Sequence, residues 1–172
     1  MSRKYLNDRW CVRCGKTIPS PYIKNNMAII VPEGGDKPSI LDIGCGNGRN
    51  MNFLKEYARE CKGVDMAPSC PNSASTILGH DRLPVTRRGW DVILANYVFM
   101  FLNTKERKQL IREIKRVSSA NAKIVVELYP AKDSEITSDE EMVKMQEELF
   151  EQIGWVKVKY SKARFIAKKG IK

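Results

Sequence analysis

Three glycines within five residues, Gly44-Cys45-Gly46-Asn47-Gly48, directly follow the short apolar run Ser39-Ile40-Leu41-Asp42-Ile43. Such a loop lets the backbone turn sharply, because glycine enters the left-handed region without a side-chain clash. Phe53, Leu54, Tyr57 and Cys61 then recur at roughly helical spacing, which predicts a helix from about Arg49 to Glu60. Lys62-Gly63-Val64-Asp65 reads as a second strand that ends in an acid. Strand, glycine turn, helix and acid-ended strand together fit an adenosine-containing ligand. The glycines let the backbone approach it closely, and the acid accepts from both ribose hydroxyls.

The alternation of apolar runs and amphipathic stretches continues down the chain. Residues 66–80 are rich in Ser, Pro and Asn, so little helix is expected there, and Thr76-Ile77-Leu78 reads as a brief third strand. Trp90-Asp91-Val92-Ile93-Leu94-Ala95 is a fourth strand. Asn103 opens a helix, with Glu106 three residues later completing a capping box. Leu110, Ile111, Ile114 and Val117 form the buried stripe of that helix. Lys123-Ile124-Val125-Val126-Glu127-Leu128 is a fifth strand. Ser138 and Glu141 supply a second capping box, Met142, Met145, Leu149 and Ile153 an apolar face, and Gly154 a helix stop. Two extended runs, 155–160 and 164–167, are spaced to form an antiparallel pair. The expected fold is α/β: a Rossmann-like three-layer α/β/α sandwich, its sheet mostly parallel, with a C-terminal antiparallel hairpin. Residues 1–38 read as a basic N-terminal extension and 39–172 as the ligand-binding domain.

The glycine loop resembles motif I of the class I S-adenosylmethionine (SAM)-dependent methyltransferases, and the likeness extends over residues 39–167. The resemblance implies that Asp42 supports the loop and the methionine ammonium, while the backbone of Gly44, Cys45, Gly46, Asn47 and Gly48 lies along the cofactor. It implies a ribose role for Asp65, with Met66 beside it, and an adenine-amino contact for Asp81 within Gly79-His80-Asp81-Arg82-Leu83-Pro84. Asn96 and Tyr97, in the loop after the fourth strand, become the cofactor-lining and acceptor-side candidates. A nicotinamide-binding protein would carry its third glycine three residues after the second. Here Gly48 stands two residues after Gly46, and Arg49 occupies the third position. The stretch between Asp65 and Asp81 is short for the family, which leaves that side of the cofactor open or covered by the N-terminal extension.

Methyl transfer from a sulfonium is an in-line displacement, so alignment and exclusion of water are the main requirements. Asn96-Tyr97 lacks the two prolines of enzymes that methylate exocyclic amines of DNA bases. That loop also has no Pro-Cys pair of the cytosine-C5 type, and Ser69-Cys70-Pro71 has the reverse order elsewhere. His80, the one histidine, reads as a local packing or hydrogen-bonding residue rather than a base.

Composition bears on partners. At 172 residues the chain suits one domain, and its 42% hydrophobic and 29% charged content is ordinary for a globular protein. No apolar run approaches the ~20 residues of a membrane-spanning helix. Residues 1–8 hold no apolar core of a leader, so a cytoplasmic protein is expected. The net charge of +10 favours a polyanionic partner, with RNA or DNA the first candidate. Basic residues interleave with Tyr5, Trp10 and Tyr22 at the N-terminus, and Lys157, Lys159, Lys162, Arg164, Lys168, Lys169 and Lys172 line the C-terminus. Lysines along an edge strand also guard against aggregation. Cys11 and Cys14 have the spacing of a zinc knuckle, but a structural zinc needs four ligands. Cys61, Cys70 and His80 could complete one only by folding together; otherwise the pair is two reduced thiols, or half a site completed by another chain. The leading expectation is a methyltransferase acting on nucleic acid or a nucleic-acid-associated substrate. The alternatives are a small-molecule methyltransferase, a non-catalytic binding module, and an enzyme that transfers the aminocarboxypropyl group of SAM instead of the methyl.

Overall fold

β1 (Ser39–Ile43) is buried along its whole length, as a strand covered by helices on both faces must be. In the computed structural model, which describes residues 18–31, 34–66, 73–76, 78–85, 89–130 and 134–170, it lies inside a seven-stranded sheet. The other strands are β2 (Glu60–Asp65), β3 (Ser73–Ser75), β4 (Trp90–Asn96), β5 (Ser118–Glu127), β6 (Val156–Ser161) and β7 (Arg164–Lys168). Their order is β3-β2-β1-β4-β5-β7-β6. β1 to β5 pair in parallel, and β7 pairs antiparallel with both β5 and β6. The expected C-terminal hairpin is therefore present, inserted so that its second strand touches β5.

Alternation along the strands sorts side chains between two apolar layers. Leu41, Ile43, Ile93, Ala95, Ile124, Val126, Phe165 and Ala167 face one layer. It is completed by α4 (Thr104–Val117) and α5 (Asp139–Ile153). Ile40, Val92, Leu94, Val125 and Ile166 face the other. There they meet Tyr22 of α1 (Pro21–Lys24), Ile30 of α2 (Met27–Ile30) and Leu54 of α3 (Arg49–Leu54).

Both capping boxes form. The Asn103 side chain accepts from the Lys105 and Glu106 amides, and Glu106 accepts from the Asn103 amide at 2.7 Å. Ser138 and Glu141 repeat the exchange. The predicted stripes of α4 and α5 are buried, and Gly154 ends α5 at φ +64°.

Three boundaries differ from the sequence reading by three residues or more, and β2 starts two residues earlier than read, at Glu60 rather than Lys62. α3 stops at Leu54 rather than near Glu60, because Glu60 pairs with Ser39 to start β2. Tyr57 is accordingly exposed, and Cys61 belongs to the strand. β5 starts at Ser118 rather than Lys123, since Ser118 pairs with Trp90 across a bulge. β3 is Ser73–Ser75, ahead of the expected Thr76-Ile77-Leu78. Only residues 66–72 separate it from β2, fewer than the dozen or so usual in a parallel crossover. No described helix is long and apolar enough to cross a membrane.

Candidate active site

The chain leaves β1 toward β2 on one side of the sheet and returns to β4 on the other. The carboxyl ends of β1 and β4 therefore form the crevice where open α/β sheets bind ligands. Gly44, Gly46 and Gly48 in the connecting loop all have left-handed φ values of +74°, +52° and +76°. The amides of Gly44 and Cys45 both donate to the Val64 carbonyl, at 2.7 and 3.2 Å. A Cβ on Gly44 would stand 2.3 Å from Val98 Cγ2, and one on Gly63 would stand 2.6 Å from Cys45 Sγ. The loop is thus packed down between β2 and the segment after β4, with Cys45 filling the space that Gly63 leaves.

Asp42 is 1% exposed, and its Oδ2 has no hydrogen-bond partner among the described residues. Burial, then the nearby Asp65 charge, push its carboxyl up to about 7, and Arg49 opposes the shift. Asp65 accepts from the Gly46 amide at 2.9 Å. An unpartnered buried carboxyl oxygen beside a loop of three left-handed glycines fits the ammonium of an amino-acid ligand such as the methionine part of SAM. The Arg49 guanidinium lies 5.9 Å from the centre of the Tyr97 ring, linking the loop to the end of β4.

The end of β4 is built around Glu127, the last residue of β5 and wholly buried. Its Oε1 accepts from Ser20 Oγ and Asn96 Nδ2. Its Oε2 accepts from the Tyr97 hydroxyl at 2.9 Å and faces Arg164 Nε at 3.3 Å. The Ser20 amide in turn donates to Asn50 Oδ1 of α3 at 3.0 Å, so Ser20 spans from α3 to β5. Tyr97 has φ +61°, a conformation that costs a non-glycine residue on the order of 1–2 kcal/mol. Burial and then Glu127 push the hydroxyls of Tyr97 and Tyr22 up to about 12, so both stay protonated.

Strand parity gathers these groups. Asp42 shares a face with Ile40, Asn96 with Leu94, Glu127 with Val125 and Arg164 with Ile166. Gly63 is paired with Asp42, which puts Asp65 on that face too. Asp65, Asp42, Asn96, Glu127 and Arg164 therefore form a polar row on five adjacent strands. It caps the apolar layer beneath α1, α2 and α3 at the carboxyl end of the sheet.

The sequence-predicted residues Asp42, Gly44, Cys45, Gly46, Asn47, Gly48, Asp65, Asn96 and Tyr97 come together here. Met66 follows at the end of β2, partly packed on the core. Asp81 stands exposed just after the turn at Gly79, which rests against Glu106 of α4. His80, beside it, pairs with Glu106 at 2.7 Å, the local bonding role expected. Cys11 and Cys14 lie outside the described residues, and no group of three or more potential metal ligands occurs among the described ones. Sequence reasoning missed Glu127, Ser20, Tyr22, Asn50 and Arg164 as site residues. An acid closing the run Ile124-Val125-Val126 was the available signal for Glu127. An open groove of about 380 Å³ along α5, between Asp139, Glu147 and Lys162, lies on the opposite side of the sheet.

Residues 41–126 match a family model described as a methyltransferase domain, half of the chain. Solved structures share the whole fold at low identity. One is a TehB-like SAM-dependent methyltransferase from Corynebacterium glutamicum, with 17% identity, 99% of this chain and 98% of that one covered, and a TM-score of 0.65. Another is the 1,6-didemethyltoxoflavin-N1-methyltransferase of Burkholderia thailandensis, solved with its substrate and S-adenosylhomocysteine: 14% identity, 97% and 86% coverage, TM-score 0.70. A third is the magnesium protoporphyrin IX methyltransferase of Synechocystis with bound SAM: 14% identity, 98% and 95% coverage, TM-score 0.66. A curated relative, hemagglutinin 1 of Eikenella corrodens, is 27% identical over 85 residues, or 43% of this chain, and the match spans only 28% of that protein's length. With the domain match, the strand order and the glycine crevice all in agreement, the chain belongs to the class I SAM-dependent methyltransferases.

Proposed function

We propose that the chain transfers the methyl group of SAM to a small molecule enclosed between the polar row and α1. The unpartnered Asp42 oxygen beside three left-handed glycines carries the cofactor half of this reading. In it, Asp42 takes the ammonium, the backbone of residues 44–48 runs along the methionine and ribose, Asp65 takes the ribose hydroxyls and Asp81 the adenine amino group. When bound, SAM supplies an electrophilic methyl on sulfur; the chain supplies orientation and a dry site. The acceptor half is supported by Ser20, whose bonds to Asn50 and Glu127 bring the N-terminal segment over the crevice. Two of the structural neighbours are also named for small-molecule acceptors.

A second reading keeps the cofactor site and makes RNA or DNA the acceptor. It is favoured by the net charge of +10 and by Lys157, Lys159, Lys162 and Lys168, exposed on the β6–β7 edge. Calorimetric titration with SAM and S-adenosylhomocysteine tests the first half of both readings. Radiolabelled SAM offered with a metabolite extract, RNA and DNA separates them. Label in the metabolite fraction, little changed by salt, supports the small-molecule reading. Label in nucleic acid, suppressed strongly between 50 and 200 mM salt (roughly 10³-fold or more with several phosphate contacts), supports the second. Zinc on Cys11 and Cys14 is separable, and elemental analysis of the purified protein decides it.

A further inference from the structure

Two buried polar atoms in the shell of Glu127 have no hydrogen-bond partner among the described residues. Asn96 is 6% exposed and can reach the Glu127 carboxylate only through its Nδ2, because a carboxylate accepts and does not donate. Its Oδ1 is thereby turned away from Glu127 and has no partner among the described residues. Tyr22 is 7% exposed, lies beneath the Arg164 guanidinium at 5.5 Å, and its hydroxyl also has no partner among the described residues. Burying such atoms unpaired is costly, so a ligand that pairs them gains what the free protein forgoes. They belong to residues fixed from behind by one carboxylate and its counter-ion: Asn96 by Glu127, and Tyr22 by Arg164 above its ring and by Ser20, whose Oγ accepts from the Tyr22 amide at 3.1 Å.

Building on the methyltransferase reading above, we propose that Asn96 Oδ1 and the Tyr22 hydroxyl together bind the methyl acceptor, which must therefore present an N–H or O–H at its nucleophilic atom. Asn96 Oδ1 can only accept, so the acceptor donates to it, and the hydrogen bond points the nucleophile's lone pair away from the proton. Tyr22 donates to a second lone pair or a neighbouring carbonyl. The lone pair forms the new bond to the methyl carbon as the carbon–sulfur bond breaks, its electron pair staying on sulfur; the methylated atom keeps its proton, and the positive charge that left sulfur, until residues 18–24 lift and the proton passes to water. Neutral amines, ring N–H groups and hydroxyls meet these demands. Carboxylates, thioethers and tertiary amines do not, since none donates. Both atoms are shielded from water with α1 in place, so the acceptor enters when residues 18–24 lift and is enclosed when Ser20 rejoins Glu127. Tyr22 is thus a specificity residue that the N-terminal segment delivers to a site otherwise built on the sheet.

The test compares the parent with Tyr22→Phe, which deletes only the hydroxyl. Each is titrated with SAM by calorimetry, melted, and incubated with radiolabelled SAM and a metabolite extract, and the labelled product is identified by mass spectrometry. The expected result is a product methylated on a nitrogen or oxygen that previously bore hydrogen. Tyr22→Phe should make it with an acceptor KM at least tenfold higher, an unchanged KM for SAM, and a melting temperature equal to or above the parent's. A merely structural hydroxyl would instead lower the melting temperature and leave the KM values alone. A methyl ester, a sulfonium or a quaternary ammonium product overturns the inference, as does parental turnover in Tyr22→Phe. SAM binding without any labelled product also overturns it, whereas absence of SAM binding overturns the methyltransferase reading beneath it.

Discussion

Tyr97 is bonded to Glu127 at both ends, its amide donating to the Glu127 carbonyl at 2.8 Å and its hydroxyl to Oε2 at 2.9 Å. These two bonds hold a tyrosine at φ +61° where glycine would be the ordinary occupant. The backbone strain is local, and Glu127, the last residue of β5 on the neighbouring strand, is what sustains it.

Replacing Glu127 by Gln should therefore destabilise the fold beyond the loss of one bond. The amide oxygen can still accept from one pair of donors, but its nitrogen would oppose either Ser20 and Asn96 or Tyr97 and Arg164. A loss of about 2–4 kcal/mol is expected, read as a lowered urea midpoint at unchanged slope. A variant as stable as the parent would show that the cluster is held from elsewhere.

Asp42 gives a pH signature of defined sign. Its carboxyl titrates at about 7 in the folded protein, against about 3.9 in an unfolded chain. Between those values the folded state keeps a proton that the unfolded state has released, so stability falls as pH rises through the window, by on the order of 4 kcal/mol. Asp42→Asn should flatten that decline relative to the parent and stabilise the ligand-free protein near pH 8. SAM affinity should run the other way, rising toward pH 7 and then levelling, as binding the ammonium requires ionised Asp42. Calorimetry in a series of buffers checks both trends.

Gly44→Ala sets a Cβ 2.3 Å from Val98 Cγ2 at a left-handed φ. A cost above about 2 kcal/mol is expected. Adding Val98→Ala should recover the steric part and leave about 1 kcal/mol of backbone strain. Additivity of the two single changes would mean that the predicted contact is absent.

Asp65→Ala should weaken SAM binding by about 2 kcal/mol or more, near thirtyfold, through lost charge-assisted bonds to the ribose. The same change removes the bond that the Gly46 amide donates to Asp65 at 2.9 Å. S-adenosylhomocysteine should lose affinity in parallel, because the sulfonium is not involved. Unchanged binding of both ligands would move the ribose site elsewhere.

The legible part of this protein is the local part. The glycine loop, both capping boxes and the apolar stripes of α4 and α5 are set by residues a few positions apart, and each appears where the spacing puts it. The end of α3 was misplaced because the pairing of Glu60 with Ser39 is a sheet contact, invisible to helical periodicity. The Glu127 cluster was missed for the same reason on a larger scale. Ser20 reaches it across 107 positions and Asn96 across 31. What could be read was the anomaly of an acid in an apolar strand, without its partners.

β7, which follows the other six described strands in sequence, pairs with β5 on one side and β6 on the other. While the chain is being synthesised, β1 to β5 are complete before Phe165, Ile166 and Ala167 exist, and the outer edge of β5 is then an open template for another chain. Arg164 arrives with that strand, so the counter-charge of Glu127 is delivered in the same step that closes the edge. Nascent chains halted before residue 164 should consequently depend on a chaperone, and completion of the hairpin should release them.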